Sequence, residues 1–142
     1  MKTIIASLLL LATSAFAAPV GVLYNFPVTR VIDGDTVEFQ APFLVPPLKP
    51  LLSIRVLGVD TPEKAPRAKC AAEADRGAAA TAFTKHAIAS ARSVQVELVD
   101  WDKFGGRVLG DIIVDGQRLS LLLIANNLAR PYHGEAKQSW CQ

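Results

Sequence analysis

One alanine-rich stretch, residues 69–92, sets the architecture open to this chain, because it is the only long run whose composition favours helix. Ala79, Phe83, Ala87 and Ala91 recur there at four-residue spacing as an apolar stripe, with Gly77 as a kink or a starting point. On either side the pattern is short and β-like. Residues 24–32 and 36–39 carry β-branched and aromatic side chains around an Asp33-Gly34 hairpin signal, and residues 54–59 make a third strand halted by Pro62. Val94, Val96 and Leu98 alternate with Gln95 and Glu97; residues 108–114 follow and close on Asp115-Gly116. Ser120 is placed to N-cap a short helix running to Asn126. A chain of 142 residues has room for one core. Five strands, with a helix after the third and another after the fifth, predict a mainly β, α+β domain. A small closed barrel is the expected form, with an up-and-down sandwich as the competitor.

Residues 1–17 read as a leader rather than as part of that domain. Lys2 gives a short positive start, residues 4–12 are an apolar run too short to span a bilayer, and Ala15-Phe16-Ala17 has the small-x-small pattern of a signal-peptidase site. The expectation is cleavage after Ala17 and a domain over residues 18–142. That domain would be secreted or periplasmic, monomeric, and without stable membrane insertion. A membrane anchor or a buried core helix is the alternative reading of the same run. The two cysteines, Cys70 and Cys141, both survive cleavage, and in an oxidising compartment one disulfide is the simple expectation. It would pin the C-terminal tail to the middle of the chain and contribute roughly 4 kcal/mol in the chain-entropy model. Two buried free thiols are the other reading.

Composition narrows function mainly by exclusion. Two cysteines with two scattered histidines make no zinc motif. A net charge of only +2 lacks the broad basic bias of a non-specific nucleic-acid binder, so any such contact must be concentrated at one site. Residues 41–53 hold Pro42, Pro46, Pro47 and Pro50 among large apolar side chains, a density that excludes a central strand or a helix interior. This segment is either a stiff connector folded back on the barrel or an exposed apolar loop that docks a cell-envelope partner.

Four short segments carry residues fit for chemistry. Asp33-Gly34-Asp35-Thr36 is a plain turn or, with its carboxylates around a glycine, a set of oxygens for a hard cation. Asp60-Thr61-Pro62-Glu63 follows a strand directly, and Pro62 forces Thr61 to be extended. Asp60 could then share a metal with Asp35 while Glu63 accepts a proton from water. The same four residues also suit a helix start, with Thr61 as N-cap. Arg55 shares strand parity with Leu57 and Val59, a core-facing row where a guanidinium wants an anion. Arg107 follows Gly105-Gly106 at the start of a strand. Singly, each arginine is better explained by a salt bridge. Together these residues meet the needs of phosphodiester hydrolysis: a base for water, a cation on the phosphate, and fixed positive charge for the pentacoordinate dianion.

The segments Val31-Ile32-Asp33-Gly34-Asp35-Thr36-Val37, Ile54-Arg55-Val56-Leu57-Gly58-Val59-Asp60-Thr61-Pro62-Glu63 and Asp102-Lys103-Phe104-Gly105-Gly106-Arg107 resemble those of staphylococcal nuclease (thermonuclease) homologues, in order and spacing. Asn127-Leu128-Ala129-Arg130-Pro131-Tyr132 and the closing Trp140-Cys141 resemble the C-terminal part of bacterial members. The resemblance implies an OB-fold, a five-stranded Greek-key barrel with two to three helices, and calcium-dependent cleavage of DNA and RNA to 3′-phosphorylated products. It implies calcium bound by the Asp35 and Asp60 carboxylates and the Thr61 carbonyl. Glu63 would be the general base, with Arg55 and Arg107 on the phosphate. Lys103 would face substrate phosphates, and Tyr132 would stack on a base. Phe104 departs from the tyrosine of the best-known member, an extra glycine precedes Arg107, and the proline-rich segment is longer. A non-catalytic OB-fold binding module is the rival that keeps the fold and drops the chemistry.

Overall fold

A computed structural model describes residues 21–142, and the leader expected over residues 1–17 lies outside the described residues. The strands are β1 (Val22–Tyr24), β2 (Val28–Asp33), β3 (Thr36–Gln40), β4 (Leu51–Val56), β5 (Val59–Asp60), β6 (Val94–Trp101), β7 (Arg107–Val114), β8 (Gln117–Arg118) and β9 (Arg130–Pro131). The helices are α1 (Ala71–Ser90) and α2 (Leu119–Ala125). The main sheet runs β1-β6-β7-β4-β3-β2, with β8 beside β7, and β5 pairs with β9 separately. The domain is thus mixed α/β and OB-like. Neighbours are antiparallel except β4 and β7, which run parallel, and that one pair excludes an up-and-down sandwich.

Two expectations are corrected. The first strand is split at Asn25-Phe26-Pro27, where Pro27 has no N–H to give a ladder and its carbonyl accepts from Gln40 instead. The two halves, β1 and β2, end up at opposite ends of the hydrogen-bonded order and do not pair with each other. The sheet is therefore not closed into a barrel, although consecutive segments of chain form its two ends. The third strand starts earlier than expected, at Leu51, and a turn at Leu57-Gly58 separates it from β5. In the proline-rich connector Ala41 is buried and Leu44 packs against the core, while Phe43, Val45 and Leu48 are exposed. The segment thus folds back on the core at Ala41 and Leu44 and leaves three large apolar side chains exposed.

Alternation places the core. Val37 and Phe39 of β3, Ile54 and Val56 of β4, Val96 of β6 and Val108 and Ile112 of β7 point inward, capped by Leu119 and Leu123 of α2. Each such side chain contributes about 1.5–3 kcal/mol of burial. On α1 the buried residues are Glu73, Gly77, Ala80, Thr81 and Thr84. The expected alanine stripe is only partly used: Ala79 is exposed, and Phe83, Ala87 and Ala91 are half-buried. This face is small and polar because it abuts backbone. The Thr84 hydroxyl donates to Gly34 O at 2.7 Å, and a Cβ on Gly77 would sit 2.4 Å from the Glu63 carbonyl carbon. Gly77 is neither kink nor start; it is where the helix touches the Glu63 segment. Ser120 is not the N-cap of α2, which is Arg118; its hydroxyl instead donates to Asp111.

A buried ionic group ties the sheet together. Arg118 bonds Glu97 through both terminal nitrogens, lies 3.8 Å from Asp111, and Glu97 also accepts Gly21 N–H. The Arg118 hydrogen bonds hold Glu97 below the usual glutamate value of 4.5, against the opposing effect of burial. A lowered carboxylate contributes fully above its unfolded value and loses that contribution as pH falls through the folded one. Glu97→Gln is therefore expected to lower stability near neutral pH and to flatten the loss that sets in below pH 4.5. Denaturant titrations between about pH 3 and pH 7 measure this. Burial pushes Asp111 the other way, so Asp111→Asn should leave the acid limb steep.

Candidate functional site

Register brings the first part of the site together. Thr36 is opposite Arg55 across β3 and β4, and Ser53 is opposite Arg107 across β4 and β7. Thr36, Arg55 and Arg107 therefore share the outer face of the sheet, since cross-strand partners and alternate residues point the same way. This corrects the expectation that Arg55 lies on a core-facing row. The turn at Leu57-Gly58 resets the alternation, so the buried residues of β4 are Leu52, Ile54 and Val56. Arg55 reaches an anion all the same: its Nε is 3.9 Å from Asp35 Oδ2.

Asp35 leaves the β2–β3 turn buried, with its backbone carbonyl held by Val56 N–H at 2.8 Å. The Thr36 hydroxyl donates to its Oδ1 at 3.0 Å. Burial raises the Asp35 pKa above the ordinary aspartate value, and Arg55, Thr36, Thr61 and Lys137 oppose that rise. Arg107 is held by Asp102, Nε to Oδ2, at 2.5 Å. Burial pushes the Asp102 carboxyl up, but Phe104 N–H, Arg107 and Arg55 outweigh it and the net shift is downward. Arg55 thus stands between Asp35 and Asp102. Gly105 and Gly106 both take positive φ in the β6–β7 turn, which accommodates the extra glycine before Arg107.

The segment after β5 is not a helix start. Residues 61–64 belong to neither helix nor strand, and α1 begins only at Ala71 with Cys70 as N-cap. Glu73 stabilises this stretch from below. Its Oε1 accepts Glu63 N–H at 3.3 Å and its Oε2 accepts Lys69 N–H at 2.7 Å. Thr61 is buried and Glu63 is turned outward, with its Oε2 3.1 Å from Arg67 Nε. Arg67 also bonds Asp33, and that bond is the main reason its pKa is raised. Such an exposed pair contributes about 0.3–0.5 kcal/mol, so Glu63 is steered rather than immobilised.

Asp60 is the most enclosed acid of the site. β5 pairs it with Arg130, Trp140 Nε1–H donates to its Oδ2 at 3.1 Å, and Lys137 Nζ is 2.5 Å from its Oδ1. That ammonium approaches off-angle, so the buried Oδ1 has no aligned hydrogen bond. Tyr132 lines a cleft of about 370 Å³ beside Asp60, with Arg130, Glu135 and Lys137. Lys103 stands apart at the exposed hairpin tip, its ammonium 5.1 Å from the centre of the Phe104 ring. Cys70 and Cys141 form a disulfide. They also group with Glu73, but bonded sulfurs are not thiolate ligands. Among the described residues this is the one trio of potential metal-ligating side chains.

Several residues of the site were not singled out from the sequence. Glu73 had a signal, since Cys70-x-x-Glu73 has the spacing of a capping box. Asp102 adjoined the recognised Lys103-Phe104 motif, while Arg67, Lys137 and the contact of Trp140 had none.

The donor set suits a hard dication. Asp60 Oδ1 is buried and without an aligned hydrogen bond, Asp35 is a second buried carboxylate, and Thr61 adds hard oxygen. Arg55 and Arg107 share one face of the main sheet, with buried Asp35 in the β2–β3 turn and buried Asp60 on the separate β5–β9 pair. The chain belongs to the staphylococcal nuclease homologue family, whose model matches residues 53–140. That span contains Arg55, Asp60, Thr61, Glu63, Lys103, Arg107 and Tyr132, while Asp35 lies outside it, 18 positions before its start. No curated protein matches the chain. Among the described residues no helix is long and apolar enough to cross a membrane.

Proposed function

We propose that this protein is a calcium-dependent nuclease that hydrolyses phosphodiester bonds of DNA and RNA. The observation that carries the reading is the position of Arg55, 3.9 Å from buried Asp35 and on the same sheet face as Arg107. Asp35 and Asp60 would hold calcium through their carboxylates and Thr61 through its carbonyl, and the ion would supply charge neutralisation on a phosphate oxygen. Arg55 and Arg107 would grip the remaining oxygens, with their charge most valuable as the phosphorane forms. Glu63 would take a proton from water, which attacks phosphorus; breaking the bond to the 5′ oxygen then leaves a 3′-phosphate. Lys103 and Tyr132 would contact flanking phosphate and base. The protein would act as a monomer after leader cleavage, in the periplasm or outside the cell, where the Cys70–Cys141 bond persists.

A non-catalytic OB-fold module would bind without this full complement of acids and arginines. Digestion of plasmid and RNA with added calcium, then with a chelator, decides between them. Degradation that stops in chelator is the expected result. Binding without cleavage in calcium would favour the module, and cleavage indifferent to chelator would remove the metal assignment.

A further inference from the structure

We infer that Lys137 is a built-in counter-cation of Asp60, which stabilises that carboxylate without calcium and must be displaced when the ion binds. The inference rests on the calcium reading above and adds a residue that sets the affinity. Lys137 Nζ is 2.5 Å from Asp60 Oδ1, the buried oxygen with no aligned hydrogen bond. The indole of Trp140 occupies the other oxygen of Asp60. It fixes the carboxylate so that Oδ1 is the atom left to a cation.

The tail carrying Lys137 is held on both sides of it. Ahead of it, β9 pairs with β5, and Tyr132 N–H donates to Gly58 O at 2.9 Å. Beyond it, the Arg130 guanidinium lies 3.6 Å from the centre of the Trp140 ring. Arg130 also donates to Ser139 O at 3.0 Å, and Arg76 to Trp140 O at 3.3 Å. The disulfide then ties Cys141 to the start of α1. This strap returns Lys137 to one place, while the side chain is 44 % exposed and has a route to solvent. The Tyr132 ring, 5.6 Å from Nζ, offers a weak alternative seat.

An enclosed carboxylate without a cation loses hydration. An ammonium offsets that cost, and a divalent ion displacing it must compete with it. Without Lys137 the calcium-free protein is less stable and the calcium complex forms more readily.

Calcium titration calorimetry and melting curves on the disulfide-bonded protein test this with Lys137→Ala, Lys137→Arg and Asp60→Asn. Lys137→Ala should tighten calcium about fivefold or more. It should also melt lower than the parent in chelator and gain more from added calcium. Lys137→Arg, which keeps the charge, should stay near the parent in both measurements. If the parent binds calcium, Asp60→Asn abolishes it, and Lys137→Ala binds no tighter, the inference falls and the calcium reading stands. If neither the parent nor Lys137→Ala binds calcium, the calcium reading falls and the inference with it.

Discussion

Glu63→Gln is expected to cut turnover on DNA by about two to four orders of magnitude while leaving the melting temperature nearly unchanged. Glutamine keeps the size of the side chain and removes only its capacity to accept a proton from water. The fold should tolerate it because the side chain of Glu63 is 41 % exposed. What positions the residue is its backbone, through the N–H bond to Glu73 and the contact with Gly77. Neither depends on the carboxylate. The lost pair with Arg67 is a surface ion pair of small value. Single-turnover cleavage of a labelled oligonucleotide in saturating calcium is the measurement. Parental turnover in Glu63→Gln would show that some other group activates the water.

Arg107→Lys should be nearly as damaging, with an expected loss of about two to three orders of magnitude in kcat/KM. The guanidinium makes two kinds of contact at once. Its Nε is committed to Asp102 at 2.5 Å, which fixes the plane of the group and leaves the terminal nitrogens for a phosphate. An ammonium on lysine has no second arm, so it would either stay on Asp102 or leave it to seek the substrate. Asp102 sharpens the test. Asp102→Asn keeps the shape and weakens the charge-assisted bond, so it should lower activity by less than Arg107→Lys does. Full activity in Arg107→Lys would mean that the guanidinium does not touch the scissile phosphate.

Much of the site was legible because its parts lie in short, continuous motifs. The turn signalled at Asp33-Gly34 does form between β2 and β3, one residue on at Gly34-Asp35, with Asp35 buried in it. The short strand β5 ends on Asp60, and Thr61, ahead of Pro62, stays out of a helix. Each of these is decided by neighbours a few residues away, through backbone sterics and turn preference. The direction of Arg55 was misread for a related reason. Counting parity through Leu57-Gly58 assumes one strand, and the turn there ends β4 after Val56 and breaks the count. The alanine stripe failed similarly: periodicity finds a helix, but it does not say which side meets backbone and which meets side chains.

The contacts that complete the site span the chain. Trp140 reaches Asp60 across 80 positions, and Glu73 holds Glu63 from the first turn of α1. No local pattern announces such pairings, because their free energy exists only after the strands have closed the loops between them. The residues on which the proposed chemistry rests, Asp35, Arg55, Asp60, Thr61, Glu63 and Arg107, were therefore legible as residue types at given spacings. So was the choice of mixed α/β over all-helical, through the alternation of short strands around one helical segment. The tertiary structure alone decided that the sheet stays unclosed between β1 and β2, that Arg55 faces outward to Asp35, and that Lys137 comes to lie on Asp60. Those outcomes depend on parallel pairing, on a resetting turn and on a tail tied back by Cys141. All three are matters of distance in space, which spacing along a chain does not encode.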